Sequence, residues 1–211
     1  MKVHSYARLT IGILVAWFTF ALIGAALGIF KAPPGRPPIP IALATSIPLA
    51  LFVIWFAAAR GFRNFVLSLN PRVITLVHSW RLVGYAFLVL YAYRILPGMF
   101  ALPAAWGDIF IGATAPLVAL KFTDSKHLKI FALWQILGMI DLVNAVAMAA
   151  TTAIIRPNGI GPDAMAVLPL SVIPTFGVPL FLILHLISLA QAWRWNELPS
   201  AETGRDLLVS A

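Results

Sequence analysis

Apolar runs of about twenty residues recur along the whole chain, and short polar or proline-rich links separate them. Roughly 20 apolar residues are what a helix needs to cross the hydrocarbon core of a bilayer, where every backbone amide must be paired internally. The pattern therefore predicts an all-α fold, a single domain that forms a polytopic transmembrane bundle of six helices. The predicted spans are residues 8–30, 40–59, 72–96, 103–121, 127–152 and 165–193, and a short polar C-terminal tail follows at 197–211.

The links contain the residues that end and open helices. Residues 31–38 are rich in proline and predict a short aqueous loop. Residues 65–69 predict a short amphipathic stretch at the membrane surface, and Asn70-Pro71 then places a proline where a helix opens. A Pro-Gly turn at 96–98 predicts a tight hairpin between the third and fourth spans.

The placement of lysine and arginine sets the predicted orientation. The chain is 61% hydrophobic and 10% charged, with 15 Lys and Arg against 7 Asp and Glu. With both termini in the cytoplasm, ten of these cations fall on the cytoplasmic side and Arg81 lies within the membrane. The four on the outer side are Lys31, Arg36, Arg94 and Arg156. Because cytoplasmic loops carry the excess of Lys and Arg, this asymmetry predicts cytoplasmic termini in a multi-pass protein of the inner (plasma) membrane.

Composition and motifs exclude several functions. Without cysteine the chain forms no disulfide, iron–sulfur cluster or thiolate zinc site. The basic residues are scattered between apolar runs, which favours a lipid bilayer over nucleic acid as the partner. No phosphate-binding loop, dinucleotide fingerprint or nucleophile elbow occurs, and the sequence does not decide whether the protein is an enzyme. A small-molecule or hydrophobic ligand, a homo-oligomer and a membrane partner subunit all remain open.

Ionisable residues inside the spans are few, and each is a candidate site because a charge near the bilayer centre costs at least ~2.5–3.5 kcal/mol. Arg81 on the third span and Asp141 on the fifth lie at similar depth, which predicts an ion pair near mid-membrane, with Asn144 one turn from Asp141. Asp108, near the outer end of the fourth span, is expected to cap the helix or to pair with Arg94 across the hairpin, and its functional interpretation is a vestibule carboxylate. These residues form a candidate site for transport of a small solute or a proton.

Two histidines carry a different hypothesis. His78 on the third span and His185 on the sixth lie at comparable depth, and two facing neutral imidazoles are what axial ligation of a b-type haem requires. On one α-helical face, His78, Arg81 and Tyr85 follow the spacing i, i+3 and i+7, so Arg81 and Tyr85 are candidates to contact polar groups of the porphyrin. The protein would then bind haem b, or a similar hydrophobic cofactor, for electron transfer between spans three, five and six. No metal other than the haem iron is predicted.

Prolines within the spans favour transport. Pro169, Pro174 and Pro179 on the sixth span, and Pro103 and Pro116 on the fourth, predict interrupted helices, which occur where backbone faces protein or a water-filled cavity. The sequence thus leaves three functions open. The preferred one is a binder of haem or a similar cofactor, and the others are a transporter or channel and an accessory subunit of a membrane complex.

Overall fold

The structure is a computed structural model that describes residues 3–33, 36–155 and 160–209, with the side chains of residues 5–33, 36–155 and 160–195. Arg156, one of the cations used above for orientation, lies outside the described residues. The α-helices are α1 Val3–Ala26, α2 Ile39–Ala58, α3 Arg60–Leu67, α4 Pro71–Val77, α5 Tyr85–Ala92, α6 Gly98–Lys121, α7 Leu128–Ile155 and α8 Val178–Val209. Shorter helices of other types are the 3-10 turns His78–Gly84, Ser125–His127 and Asp163–Ala166, and the π turn Ile173–Gly177.

Six helical stretches are long and apolar enough to cross a membrane, and the mean hydropathy of their most apolar windows lies between 1.3 and 2.2. They are Ser5–Ala26, Ile39–Ala58, Pro71–Ala92, Gly98–Lys121, Ser125–Ile155 and Ile173–Trp195. Among the described residues, the prediction of an all-helical fold with six such stretches is confirmed. This number of apolar helices indicates a multi-pass membrane protein.

Four predicted boundaries were wrong by four residues or more. The first stretch ends at residue 26 rather than 30. The third stretch ends four residues early, where Arg94 adopts a left-handed backbone conformation with φ of 58°. The fourth begins at residue 98 rather than 103, because Pro97 occupies its N-cap position. The sixth begins at residue 173 rather than 165, since a 3-10 turn and a non-helical stretch around Pro169 come first.

Proline interrupts the sixth stretch but not the fourth. Helix α6 runs unbroken through Pro103 and Pro116, so the predicted interruption there is wrong. In the sixth stretch the π turn at residues 173–177 precedes Pro179, and α8 then continues as helix through the predicted polar tail. The irregular backbone next to these prolines therefore lies at one end of the sixth stretch.

Side chains of α1 and α2 satisfy the carbonyls that this irregular backbone leaves free. In a π turn each N–H bonds five residues back, and Pro179 has no N–H, so the carbonyls of Pro174 and Thr175 lose their helical donors. Trp17 Nε1 of α1 donates to Thr175 O at 3.0 Å, and Thr45 Oγ1 of α2 donates to Pro174 O at 2.8 Å. These bonds hold the first two helices against the start of the sixth stretch.

The start of α1 and residue Gln191 of α8 both lie next to α3, at the end of the bundle here called the terminal end. Tyr6 of α1 stacks on Phe65 of α3 with ring centroids 6.0 Å apart, and Trp55 of α2 stacks on Phe62 at 3.7 Å. Helix α3 buries its phenylalanines and leaves Arg60 exposed, so an amphipathic segment is present, but it begins at residue 60 rather than 65. The opposite end, called the far end, contains residues 27–33, 93–97 and 160–172.

Candidate functional site

A 3-10 turn in the middle of the third stretch decides which of its side chains face the protein. Because a 3-10 helix has 3.0 residues per turn, positions three apart eclipse each other. His78, Arg81, Gly84 and Phe87 are accordingly all buried. Tyr85 would share their face in a regular α-helix, but the tighter turn rotates it outward and it is 56% exposed. The prediction that Tyr85 belongs to this site is wrong for that reason.

Arg81 is the centre of a buried group of charges that also contains Asp108 of α6 and Asp141 of α7, together called the Arg81 cluster. Arg81 is only 2% exposed. Its Nε donates to Asp108 Oδ1 at 2.7 Å, its Nη2 donates to Asp141 Oδ2, and its Nη1 donates to the Gly138 carbonyl at 3.2 Å. The predicted contact between Arg81 and Asp141 is therefore present, and a second carboxylate joins it.

Asp108 lies deeper than the sequence predicted. Helix α6 begins five residues earlier than expected, so Asp108 is ten residues inside it, or ~15 Å at 1.5 Å per residue. It therefore meets Arg81, and the predicted pairing with Arg94 at the far-end turn is wrong. Asn144, predicted to accompany Asp141, is half-buried and is not a hydrogen-bond partner of the cluster.

Glycines make room for the Arg81 cluster. A Cβ atom at Gly107 would overlap the carboxylate of Asp141, and one at Gly138 would lie 3.3 Å from Arg81 Nη1. On the third stretch, a Cβ atom at Gly84 would overlap the side chain of Asp108 of α6. Small residues at these positions let three spanning helices approach closely enough for their charged groups to meet.

His78 and His185 lie side by side next to the cluster, and both are 0% exposed. Their ring centroids are 3.9 Å apart and the ring planes are inclined by 26°. A haem with two axial histidines requires the macrocycle between the imidazoles and one nitrogen of each ring aimed at the iron. Rings in direct face contact leave no layer for a macrocycle. The predicted haem b site, with these histidines as iron ligands, does not fit this structure.

The neighbours of His185 define its tautomer. Its Nδ1 bonds Oε1 of Gln135, which is an acceptor, so Nδ1 carries the proton. Its Nε2 lies 3.4 Å from Arg81 Nη1, which is only a donor, so Nε2 is the acceptor. This arrangement fits a neutral imidazole that links the Arg81 cluster to Gln135, a residue absent from the predicted site. In the sequence, Gln135 is one of the few polar residues within the apolar fifth span.

Buried polar side chains continue from the cluster towards the terminal end. Ser188 and Gln191 follow His185 on the same face of α8, at 0% and 4% exposure. Gln191 Nε2 donates to the Leu69 carbonyl at 2.7 Å, just after α3. Several atoms along this row have no hydrogen-bond partner among the described residues: both ring nitrogens of His78, Oγ of Ser188, Nε2 of Gln135 and Oε1 of Gln191. These side chains are called the polar row below.

Two cavities meet at Asp108. The far-end cavity, of about 110 Å³, runs from the loop residues Arg36 and Asp163 past Ala145 of α7 to Asp108. The flank cavity, of about 440 Å³, lies beside the third stretch and the start of α8, and both Arg81 and Asp108 line it. The walls of both cavities are mainly apolar. Of the Arg81 cluster, Asp108 thus lines both cavities, and Arg81 lines the flank cavity.

Comparison with known proteins places the chain in a family. No curated protein and no solved structure matches it. Residues 38–192 match the family described as "Domain of unknown function (DUF8737)". This range contains the second to fifth spanning stretches, most of the sixth and every residue of the Arg81 cluster. Since the match covers well over half of the sequence, the chain belongs to the DUF8737 family.

Proposed function

We propose that this protein moves a small solute or a proton across a membrane, with Arg81, Asp108 and Asp141 as its central site. One observation carries the proposal: a buried cluster with more carboxylates than guanidinium groups opens onto two cavities. Intramembrane ionisable groups that face a cavity in the bundle interior mark substrate and ion pathways.

The charge balance of the cluster separates this function from a purely structural role. A structural pair needs one carboxylate for one guanidinium, and Arg81 already makes such a pair with Asp141. Asp108 adds a second carboxylate, of which only Oδ1 receives a hydrogen bond from the described residues. The cluster then has one negative charge in excess, which is unfavourable where water is largely excluded. A proton or a cationic solute on the cluster would balance that charge.

The surroundings of the cluster support a path in both directions. The far-end cavity connects it to the loops at one end of the bundle. The polar row extends from it towards the other end, and its unpartnered atoms need hydrogen-bond partners because leaving a buried donor or acceptor unmet costs about 1–3 kcal/mol. Water molecules are the partners that such buried polar sites usually bind. If the polar row had only a structural role, apolar side chains would be expected at these positions.

We place the terminal end in the cytoplasm and the protein in the inner (plasma) membrane. The support is the distribution of cations, which are numerous at the terminal end and sparse at the far end. Described cations at the terminal end are Arg8, Arg60, Arg63, Arg72, Lys121, Lys126, Lys129 and Arg194, against Lys31, Arg36 and Arg94 at the far end. The far-end cavity would then open outward.

Proton flux into liposomes tests the proposal. Purified protein is reconstituted with a pH-sensitive dye inside, and a potassium gradient with valinomycin supplies the driving force. We expect wild-type vesicles to acidify faster than empty ones, and Asp108→Asn or Asp141→Asn to slow this by about tenfold or more, which corresponds to ~1.4 kcal/mol.

The matched control is Asp124→Asn. Asp124 pairs with His127 in the loop before α7, and its side chain is 51% exposed, so the same chemical change is made outside the bundle. Equal flux in all three variants and the wild type would show that the cluster is not on the path. Wild-type flux no greater than that of empty vesicles would remove the proton as the substrate.

A further inference from the structure

The flank cavity opens sideways, at the depth of the Arg81 cluster. Among its lining residues, Trp80 is 74% exposed and Val83 is 52% exposed, on the outer surface of the third stretch. Phe18 of α1 lines the cavity from the other side and is 40% exposed. Because these positions lie within membrane-spanning stretches, the rim of the cavity faces lipid hydrocarbon.

The cavity is shaped for an organic ligand. Its volume of about 440 Å³ lies within the ~300–1,000 Å³ typical of small-molecule sites. Five aromatic side chains line it: Phe18, Trp80, Phe87, Phe176 and Phe181. Its charged lining residues are Arg81 and Asp108, which lie at the inner end. Such a pocket accepts a molecule with an apolar body and one polar head.

The charge at the inner end determines the sign of the head. The cluster contains one more carboxylate than guanidinium, and Oδ2 of Asp108 accepts no hydrogen bond from the described residues. A cation next to this oxygen would balance the cluster, whereas an anion would add to its excess charge. Aromatic faces around the cavity would also attract a cation.

We propose that the flank cavity binds hydrophobic organic cations that enter from the lipid, with the cationic centre against Asp108 and the apolar body among the five aromatic side chains. This inference rests on the proposed function, because it names the substrate class of the same site. The ligand reaches Asp108 from the bilayer, and the far-end cavity then connects that site to the loop residues Arg36 and Asp163.

Tetraphenylphosphonium and tetraphenylborate are the probes, since they share a shape and differ in the sign of their charge. Equilibrium dialysis of the purified full chain in detergent, against protein-free micelles, measures binding of each. We expect saturable binding of tetraphenylphosphonium and none of tetraphenylborate. Asp108→Asn should raise the Kd for tetraphenylphosphonium by about tenfold or more. The variant leaves Arg81 paired one-to-one with Asp141, so the fold is expected to persist.

Two further variants complete the test. Val83→Trp should fill the rim without touching the charges and also weaken binding, while Asp124→Asn should leave the Kd unchanged. Equal binding of both probes, or a Kd unaffected by Asp108→Asn and Val83→Trp, would overturn the inference. Because binding in detergent requires no transport, proton flux without phosphonium binding would refute only this inference. Phosphonium binding without flux of any kind would refute the proposed transport and leave the ligand class standing.

Discussion

Replacing Gly107 by alanine should push the carboxylate of Asp141 away from Arg81. The Cβ atom of alanine would overlap Oδ1 of Asp141, so the carboxylate must retreat by about 2 Å to reach an ordinary van der Waals separation. That distance is enough to break the ion pair that Arg81 Nη2 makes with Asp141. Breaking a buried pair costs ~3–5 kcal/mol. Alanine in place of glycine returns ~0.8–1 kcal/mol of helix propensity, so the net loss is about 2–4 kcal/mol.

Thermal unfolding in detergent measures this loss as a lower Tm. Gly12→Ala is the matched control, because no atom lies within 4 Å of a Cβ at Gly12 in helix α1. It should leave the Tm unchanged or raise it slightly. In an Asp141→Ala background the overlap disappears, and Gly107→Ala should cost almost nothing. The reasoning is refuted if Gly107→Ala lowers the Tm equally in both backgrounds, or does not lower it at all.

Three other predictions follow from the structure. Thr45→Val leaves the Pro174 carbonyl without its donor and should destabilise the protein by about 1–3 kcal/mol in the same assay, whereas Ser46→Ala, at an exposed serine that bonds only its own helix, should have little effect. Tyr85→Phe should change neither stability nor proton flux, because Tyr85 points away from the cluster; a large loss would place it back in the site. Protein purified from haem-replete cells should show no Soret band before or after dithionite, since the stacked imidazoles leave no layer for a macrocycle, and a strong band would contradict that geometry.

The six long helices could be predicted from the sequence, because a membrane-spanning helix is recognised by its length and its apolar composition. Counting residues from predicted boundaries also put Arg81 and Asp141 at one depth, and the structure has them in contact. The same count failed for Asp108, because it took Pro103 as the helix start and Pro97 is the N-cap. An error of five residues corresponds to ~7.5 Å along the helix. The predicted depth of Asp108 was therefore too shallow for a contact with Arg81.

Other features had no clear signal in the sequence. The 3-10 turn at residues 78–84 contains no proline, and its glycine is its last residue, so a regular α-helix was the natural expectation and Tyr85 was placed on the wrong face. Their similar depth predicted that His78 and His185 are neighbours. Depth does not distinguish two imidazoles that bind a cofactor between them from two that are in direct contact. Side-chain orientation is set by the packing of three helices, which a single sequence does not display.

Accessibility of a single cysteine to a charged thiol reagent tests most directly whether water reaches the Arg81 cluster from the far end. The chain has no cysteine, so Ala145→Cys introduces the only thiol. Ala145 lines the far-end cavity, while Ala147 on the same helix is exposed on the outside of the bundle and serves as the control. We predict that Ala145→Cys reacts with a membrane-impermeant methanethiosulfonate applied to the outside of intact cells and that Ala147→Cys, facing lipid, does not. If Ala145→Cys reacts no faster than Ala147→Cys from either side of the membrane, the cluster is a sealed ion pair and the proposed transport site is wrong.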